Sequence, residues 1–187
     1  MKKIVLTSLM ALVFAVCSFG LAGCSQKTID EQIFEELDTG LKDVQSGALN
    51  SELAKSYTEA SGFNAQEYGM DGTELIQALL RDFTYEIGEI KVDEGAGKAS
   101  VTVNATSRNL QSAMKTFAEK LQHYIAEHVG KEPLEDMMKQ TGPILIESIE
   151  ETPTTKHEVI VPVTRSKTGE WEIDESAIAE LLLQTKS

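Results

Sequence analysis

Cysteine is nearly missing: Cys17 and Cys24 are the only two in 187 residues. That is too few for a disulfide-stapled scaffold. Basic residues are scarce, 17 against 30 acidic ones, for a net charge of −13. This is the wrong sign for a nucleic-acid binder, whose affinity rests on Lys and Arg. No Pro/Gly/Ser-rich linker divides the chain past residue 28, and no internal repeat is found. Several chemical signatures are also missing: a Gly-x-Ser-x-Gly elbow, a phosphate-binding P-loop, His-Glu-x-x-His and a calcium loop. What is present is 41% hydrophobic and 25% charged residues, the composition of an ordinary folded domain. The length allows one domain, or at most two small ones.

The N-terminus predicts an address. Met1-Lys2-Lys3 is basic, and an apolar run follows from Ile4 to Ala22, the layout of a secretory signal. An uncleaved transmembrane anchor is the rival reading, because the run is just long enough to span a bilayer. The run ends in Leu21-Ala22-Gly23-Cys24. That tetrapeptide resembles the bacterial lipobox, which implies cleavage before Cys24 and diacylglycerol on its thiol. Cleavage would remove two lysines and no acid, leaving 15 bases against 30 acids. It would also remove Cys17, so no free thiol would remain for a disulfide, a metal or a nucleophile. Two acyl chains give a stable anchor where one alone is marginal. The tether Ser25-Gln26-Lys27 reaches only about 10–13 Å, so the domain is expected close to the membrane.

Periodicity predicts one α+β domain over residues 28–187. Ile29, Ile33, Leu37, Leu41 and Val44 mark an amphipathic helix over 28–46, with Gly47 at its C-terminal end. A shorter helix is expected over 50–60 and a third over 71–81, capped by Asp71 or Thr73. Phe83, Tyr85 and Ile87 then alternate with polar residues. After Gly88 the apolar phase moves to Ile90 and Val92, which predicts a β-bulge. Ala99, Val101, Val103 and Ala105 return as the second strand of a hairpin. Leu110, Ala113, Met114, Phe117, Leu121, Tyr124, Ile125 and His128 form the apolar face of a long helix that Gly130 ends. Pro133 starts another helix, which Gly142-Pro143 should kink or interrupt. Val159, Val161 and Val163, a turn at 167–169, then Trp171 and Ile173 form a second hairpin. Pro162 should turn its nitrogen to an edge or bulge. Asp174 caps a closing helix. The expected fold is a curved four-stranded antiparallel sheet, made of two hairpins, packed against helices.

Thr84-Tyr85-Glu86-Ile87, Ala99-Ser100-Val101-Thr102-Val103 and Gly169-Glu170-Trp171-Glu172-Ile173-Asp174 carry a resemblance, together with the lipobox and the helix pair between hairpins. In these the chain resembles the small Gram-positive lipoproteins of unknown function whose domains are similar to the nuclear transport factor 2-like (cystatin-like) α+β cone. The resemblance brings no activity and no catalytic residue. It implies only the lipid attachment at Cys24.

Candidate chemistry is thin. His123 and Glu127 make a solvated helical pair more readily than a metal site. The acids of the first helix and Glu147, Glu150 and Glu151 fall off the apolar stripes, as a solvated surface does. Tyr85, Tyr124, His157 and Trp171 are the candidate lining of an apolar pocket inside the cone, and plain core packing is the alternative. No catalytic residue, metal or cofactor is assigned. The expected function is a membrane-tethered, extracytoplasmic, non-catalytic domain that binds a small apolar ligand or a protein partner. The alternatives are an isomerase- or dehydratase-like enzyme using the cone, and a purely structural surface lipoprotein.

Overall fold

The computed structural model describes residues 27–49, 51, 53–55, 65–167 and 169–184. The signal run and Cys24 lie outside these residues. So does most of the helix expected over 50–60, of which 51 and 53–55 are described and helical. Among the described residues no helix is long and apolar enough to cross a membrane.

Helix α1 spans Ile29–Ser46. The Glu31 carboxylate accepts from the Thr28 N–H at 3.0 Å, and Asp30 and Glu31 place negative charge in the first turn, where the helix dipole favours it. Gly47 ends the helix at φ 74°, a left-handed conformation that glycine adopts without strain. The buried face is Ile33, Leu37, Leu41 and Val44, as the spacing predicts. A 3-10 turn covers Ala65–Tyr68, and α2 covers Gly72–Leu80. Asp71 is the residue that caps α2, with Oδ1 accepting from the Thr73 N–H at 2.6 Å.

Strands β1 (Thr84–Asp93) and β2 (Lys98–Arg108) pair antiparallel. Ile87 faces Val103 and Ile90 faces Val101, so Gly88 and Glu89 together oppose Thr102. This is the predicted bulge, and it lets both halves of β1 turn their apolar residues to one side. A Cβ on Gly88 would stand 3.2 Å from the Thr102 carbonyl oxygen, which accounts for glycine there.

Helices α3 (Leu110–His128) and α4 (Leu134–Glu151) form an antiparallel hairpin. Asn109 caps α3 by accepting from the Ser112 N–H at 2.8 Å. Pro133 is the cap residue of α4 and not its first helical residue. Of the kink or interruption expected at Gly142-Pro143, the interruption does not occur: α4 runs through Pro143. Proline supplies no N–H for the carbonyl four residues back, that of Lys139. The Gly69 backbone packs directly onto that carbonyl oxygen, where any Cβ would overlap it.

Strands β3 (Thr154–Arg165) and β4 (Trp171–Ile173) make the second hairpin. The Pro162 carbonyl accepts from the Asp174 N–H at 2.9 Å, just past the end of β4. Its nitrogen lies on that same outer side of β3, as predicted. Helix α5 (Glu175–Leu183) follows, with Asp174 Oδ1 accepting from the N–H groups of Ser176 and Ala177.

The sheet order is β1-β2-β3-β4, antiparallel throughout. β2 and β3 pair over their whole length, from Lys98 opposite Thr164 to Arg108 opposite Thr154. The two expected hairpins are thus joined into one sheet, and α3–α4 is an excursion between neighbouring strands. Helix α1 packs on β1, and α5 packs on β2 and β3. Leu37, Leu41, Val101, Val103, Val161, Ile178 and Leu181 are fully buried between them. The opposite sheet face carries exposed Asn104, Glu158 and Ile160, so the sheet is solvated on one side. A second, smaller cluster joins Met70, Leu75 and Ala78 to Ala113 and Ile149 at the base of the helical hairpin.

Candidate functional site

The four candidate pocket residues lie on four different elements; Tyr85 and His157 flank Ala105 on one rung of the sheet, while Tyr124 stands apart on α3. Tyr85, on β1, is half-buried and stacks on Phe83 with ring centroids 5.9 Å apart. Its hydroxyl donates to Asp38 Oδ1 at 2.8 Å, tying β1 to α1. Burial, and then this bond to a carboxylate, push the phenol far above its usual value. The Asp38 carboxyl is held below its usual range, first by the bond from Lys42 and then by that from Tyr85. Trp171, on β4, is half-buried at the margin of the main core. His157, on β3, donates from Nε2 to the Leu181 carbonyl at 3.1 Å, and its buried Nδ1 has no hydrogen-bond partner among the described residues. Tyr124 stands near the tip of the α3–α4 hairpin. Its hydroxyl donates to Glu132 Oε2 at 3.0 Å, and its ring stacks on His128 at 4.2 Å. Tyr85, His157 and Tyr124 are each engaged by a partner of their own.

Two depressions are open surface grooves. One lies between the start of α1 and the bulge, lined by Lys27, Glu31, Phe34, Gly88 and Ile90. The other lies between the end of α1 and α2, lined by Gln45, Gly47, Gln77, Arg81 and Phe83. The acids read as surface groups are paired on the surface: Glu150 with Arg81 at 2.7 Å, and Glu151 and Glu147 with Lys120 at 2.7 and 3.1 Å. His123 and Glu127 stand 3.5 Å apart, both exposed. Among the described residues no group of three or more His, Cys, Asp or Glu is placed to hold a metal ion.

The largest departure from the sequence reading is on α3. Of its eight-residue apolar face, only Ala113 is buried. Met114 and Ile125 are 44% and 43% exposed, Val129 just beyond them is 64%, and on α4 Leu134 and Met138 are 73% and 37%. Exposed apolar residues scattered singly need no explanation, but these are grouped. Helix α3 turns Ala113 inward at its base and reaches α4 through Lys120. Helix α4 buries Met137 and Ser148, and also Gly142, packed against Tyr68 and Met70, and Ile149, in the cluster of Met70 and Ala113. In an antiparallel pair, the residue following each inward position on either helix turns to the same side of the hairpin. Met114 and half-buried Leu121 on α3 therefore share a side with Met138 on α4, and the same rule puts Ile149 there, where it is buried, so this side is open only toward the tip. Ile125 and Leu134 extend that face toward the tip.

No charge interrupts the α3 part of this face: Gln111, Met114, Ala118, Leu121, Gln122, Ile125 and Val129 are all neutral. The sequence signal was present in the width of the stripe. Its eight positions, with a second stripe following Gly130, exceed what one partner helix covers.

No family model matches the chain, and no curated protein matches it. Among solved structures it is similar to that of YcdA, a candidate lipoprotein of Bacillus subtilis, at 16% identity and a TM-score of 0.43. The match covers 97% of this chain and 56% of the other, so this chain spans little more than half the length of that one.

Proposed function

We propose that this chain is a lipoprotein held on the outer side of the cytoplasmic membrane by acyl chains on Cys24, and that its domain binds a protein partner without catalysing a reaction. The observation that carries the binding reading is the group of exposed apolar side chains Met114, Ile125, Val129, Leu134 and Met138 on the α3–α4 hairpin, with no charge on its α3 part. An apolar face of this kind, rimmed by polar residues, is typical of a protein contact. The anchor is supported by the basic start, the apolar run and Leu21-Ala22-Gly23-Cys24. A Gram-positive source and a nuclear transport factor 2-like domain rest on the strand motifs and layout quoted above. The non-catalytic reading is supported by the engagement of Tyr85, His157 and Tyr124 with separate partners, Asp38, the Leu181 carbonyl and Glu132.

Two measurements test this function. The full chain should sediment with membranes, and a Cys24→Ser variant should appear in the soluble extracytoplasmic fraction. Retention of Cys24→Ser in the membrane would replace the lipid with an uncleaved anchor. A photo-crosslinking side chain at position 125 in living cells should give a discrete adduct that the same group at Gln140, on the opposite face of the hairpin, does not. Absence of any adduct at 125 would overturn the binding reading.

A further inference from the structure

We propose that the open edge of β3 over residues 154–160 is a strand-addition site. Its occupant is an extended segment of another protein that sets a base opposite Glu158 and an acid opposite Lys156. This surface is separate from the α3–α4 hairpin, and the inference does not depend on the hairpin reading.

The register defines the edge. β2 covers one side of β3 from Thr164 to Thr154 with no register shift. On the other side β4 covers only residues 163–165, and the Asp174 N–H adds one bond to the Pro162 carbonyl. Backbone groups alternate between the two sides of a strand. Pro162 points away from β2, so Ile160, Glu158 and Lys156 do too. Among the described residues their outward N–H and C=O groups have no partner. Access is open as well. Lys156, Glu158 and Ile160 are exposed on the solvated sheet face. On the inner face Thr155 is exposed and His157 half-buried, so α5 does not wrap past the edge there.

The other margins of the sheet are blunted against pairing. β1 carries the bulge between Ile87 and Ile90, and β4 is three residues long. The stretch 154–160 has neither device. Its outward groups recur about every 6.5–7 Å, the repeat of two residues in a strand. Another extended backbone presents N–H and C=O groups at that same repeat, which is the basis of strand addition.

Charge sets the kind of segment. On β2, Lys156 faces Thr106 and Glu158 faces Asn104, both neutral, and neither charge is in an ion pair among the described residues. Opposite charges directly across a ladder stabilise it and like charges destabilise it, so these two side chains select a complementary pair two residues apart. A second copy of this chain fits less well. Set antiparallel with Lys156 against Glu158 of the partner subunit, it would bring Thr152 of the partner subunit opposite Pro162, where Asp174 already sits. A segment free to turn away at both ends meets no such obstacle.

The test uses the full chain in living cells. A photo-crosslinking side chain replaces Ile160, and the crosslinked segment is sequenced after digestion. The expected result is a discrete adduct with another protein, through a segment that carries an acid and a base two residues apart. Glu158→Pro removes one outward N–H and spares the β2 ladder, as Pro162 does on the same side, so it should lower the adduct at least about ten-fold. Glu158→Lys keeps every N–H and should lower it at least about five-fold, which decides the matter if the proline variant does not fold. Equal yields from the parent and Glu158→Lys, or from the parent and a folded Glu158→Pro, would overturn strand addition. No adduct, or an adduct with a second copy alone, would overturn the partner. An adduct at 125 reads the hairpin and should be unchanged in both variants, so the two surfaces fail separately.

Discussion

Arg108, the last residue of β2, donates from Nη1 to the carbonyl of Glu150 at 3.1 Å, where α4 runs out. The same nitrogen donates to the Thr152 carbonyl, and Nη2 donates to Asp82 Oδ2 at 3.1 Å. A buried guanidinium thus fills the carbonyl-rich end of a helix and holds it to the sheet, with the charge sign that the helix dipole favours. Arg108→Ala leaves those carbonyls unsatisfied. A loss of about 2–4 kcal/mol is expected, since hydrogen bonds to charged groups contribute about 1.5–3 kcal/mol and orphaned groups cost more. Urea unfolding checks it. Arg108→Lys should recover less than half, because an ammonium lacks the fork that spans two carbonyls.

Gly142 gives a prediction whose sign separates packing from propensity. In an exposed helix Gly→Ala stabilises by about 1 kcal/mol. Here a Cβ would overlap the Tyr68 carbonyl oxygen and stand 2.7 Å from Met70 Cβ. Gly142→Ala should therefore destabilise, by about 2 kcal/mol or more, as overpacking does. Gly130 is the control. It has φ 78° and nothing within 4 Å of its built Cβ, so Gly130→Ala should cost only about 1 kcal/mol through the backbone. Paired thermal melts decide between the two effects.

Glu36 is half-buried on α1, and its carboxyl titrates above the usual range, first through desolvation and then through the charge of Glu170. A raised folded-state value means the folded protein holds the proton more tightly. The associated stability is fully present below the unfolded value and is lost as pH rises through the folded one. Glu36→Gln should therefore raise Tm by about 1–2 °C at pH 7, with ~1 kcal/mol corresponding to about 2–4 °C at this size. The gain should vanish below about pH 4. A gain that persists at low pH would assign the effect to something other than ionisation.

Gln184 ties the end of α5 to the sheet. Its Nε2 donates to the Ser107 carbonyl at 2.8 Å and to the Thr155 carbonyl at 3.1 Å, and its Oε1 accepts from the Thr155 hydroxyl at 2.9 Å. Gln184→Ala should cost about 2 kcal/mol through the buried groups left unpaired. Amide exchange should quicken at the Ser107–Thr155 end of the sheet before it does at Val101 and Val161. Uniform acceleration would mean that Gln184 acts on global stability alone.

Much of the local structure was legible because it is written in neighbouring residues. The α1 stripe, the phase change at Gly88 and the caps at Asp71 and Asp174 each depend on residues within a few positions. Three features were not. The pairing of β2 with β3 joins residues such as Arg108 and Thr154 across an intervening helical hairpin, and no local pattern encodes it. Periodicity shows which side of α3 is apolar but not whether anything covers that side, so Met114 and Ile125 read as core. The partners of Arg108 are main-chain carbonyls, which leave no trace in side-chain identity. The candidate pocket failed to assemble for a related reason: alternation places Tyr85, His157 and Trp171 toward the sheet's inner side, while Asp38 and the Leu181 carbonyl draw two of them to separate partners.

Arg108 and Thr154 occupy the same rung of the sheet, so the chain leaves and rejoins the ladder at one point. Everything from 109 to 153 is therefore spliced into what would otherwise be a plain β-meander. It is held to the rest by the Arg108 clamp, by the cluster around Ala113 and Ile149, by the Arg81–Glu150 pair and by the packing of Gly69 and Met70 on α4 at Lys139 and Gly142. A different helical hairpin grafted at this rung would leave the strand registers in place but would have to rebuild the seat that α4 gives residues 65–70. The sheet can thus stay constant while the hairpin inserted at this rung varies.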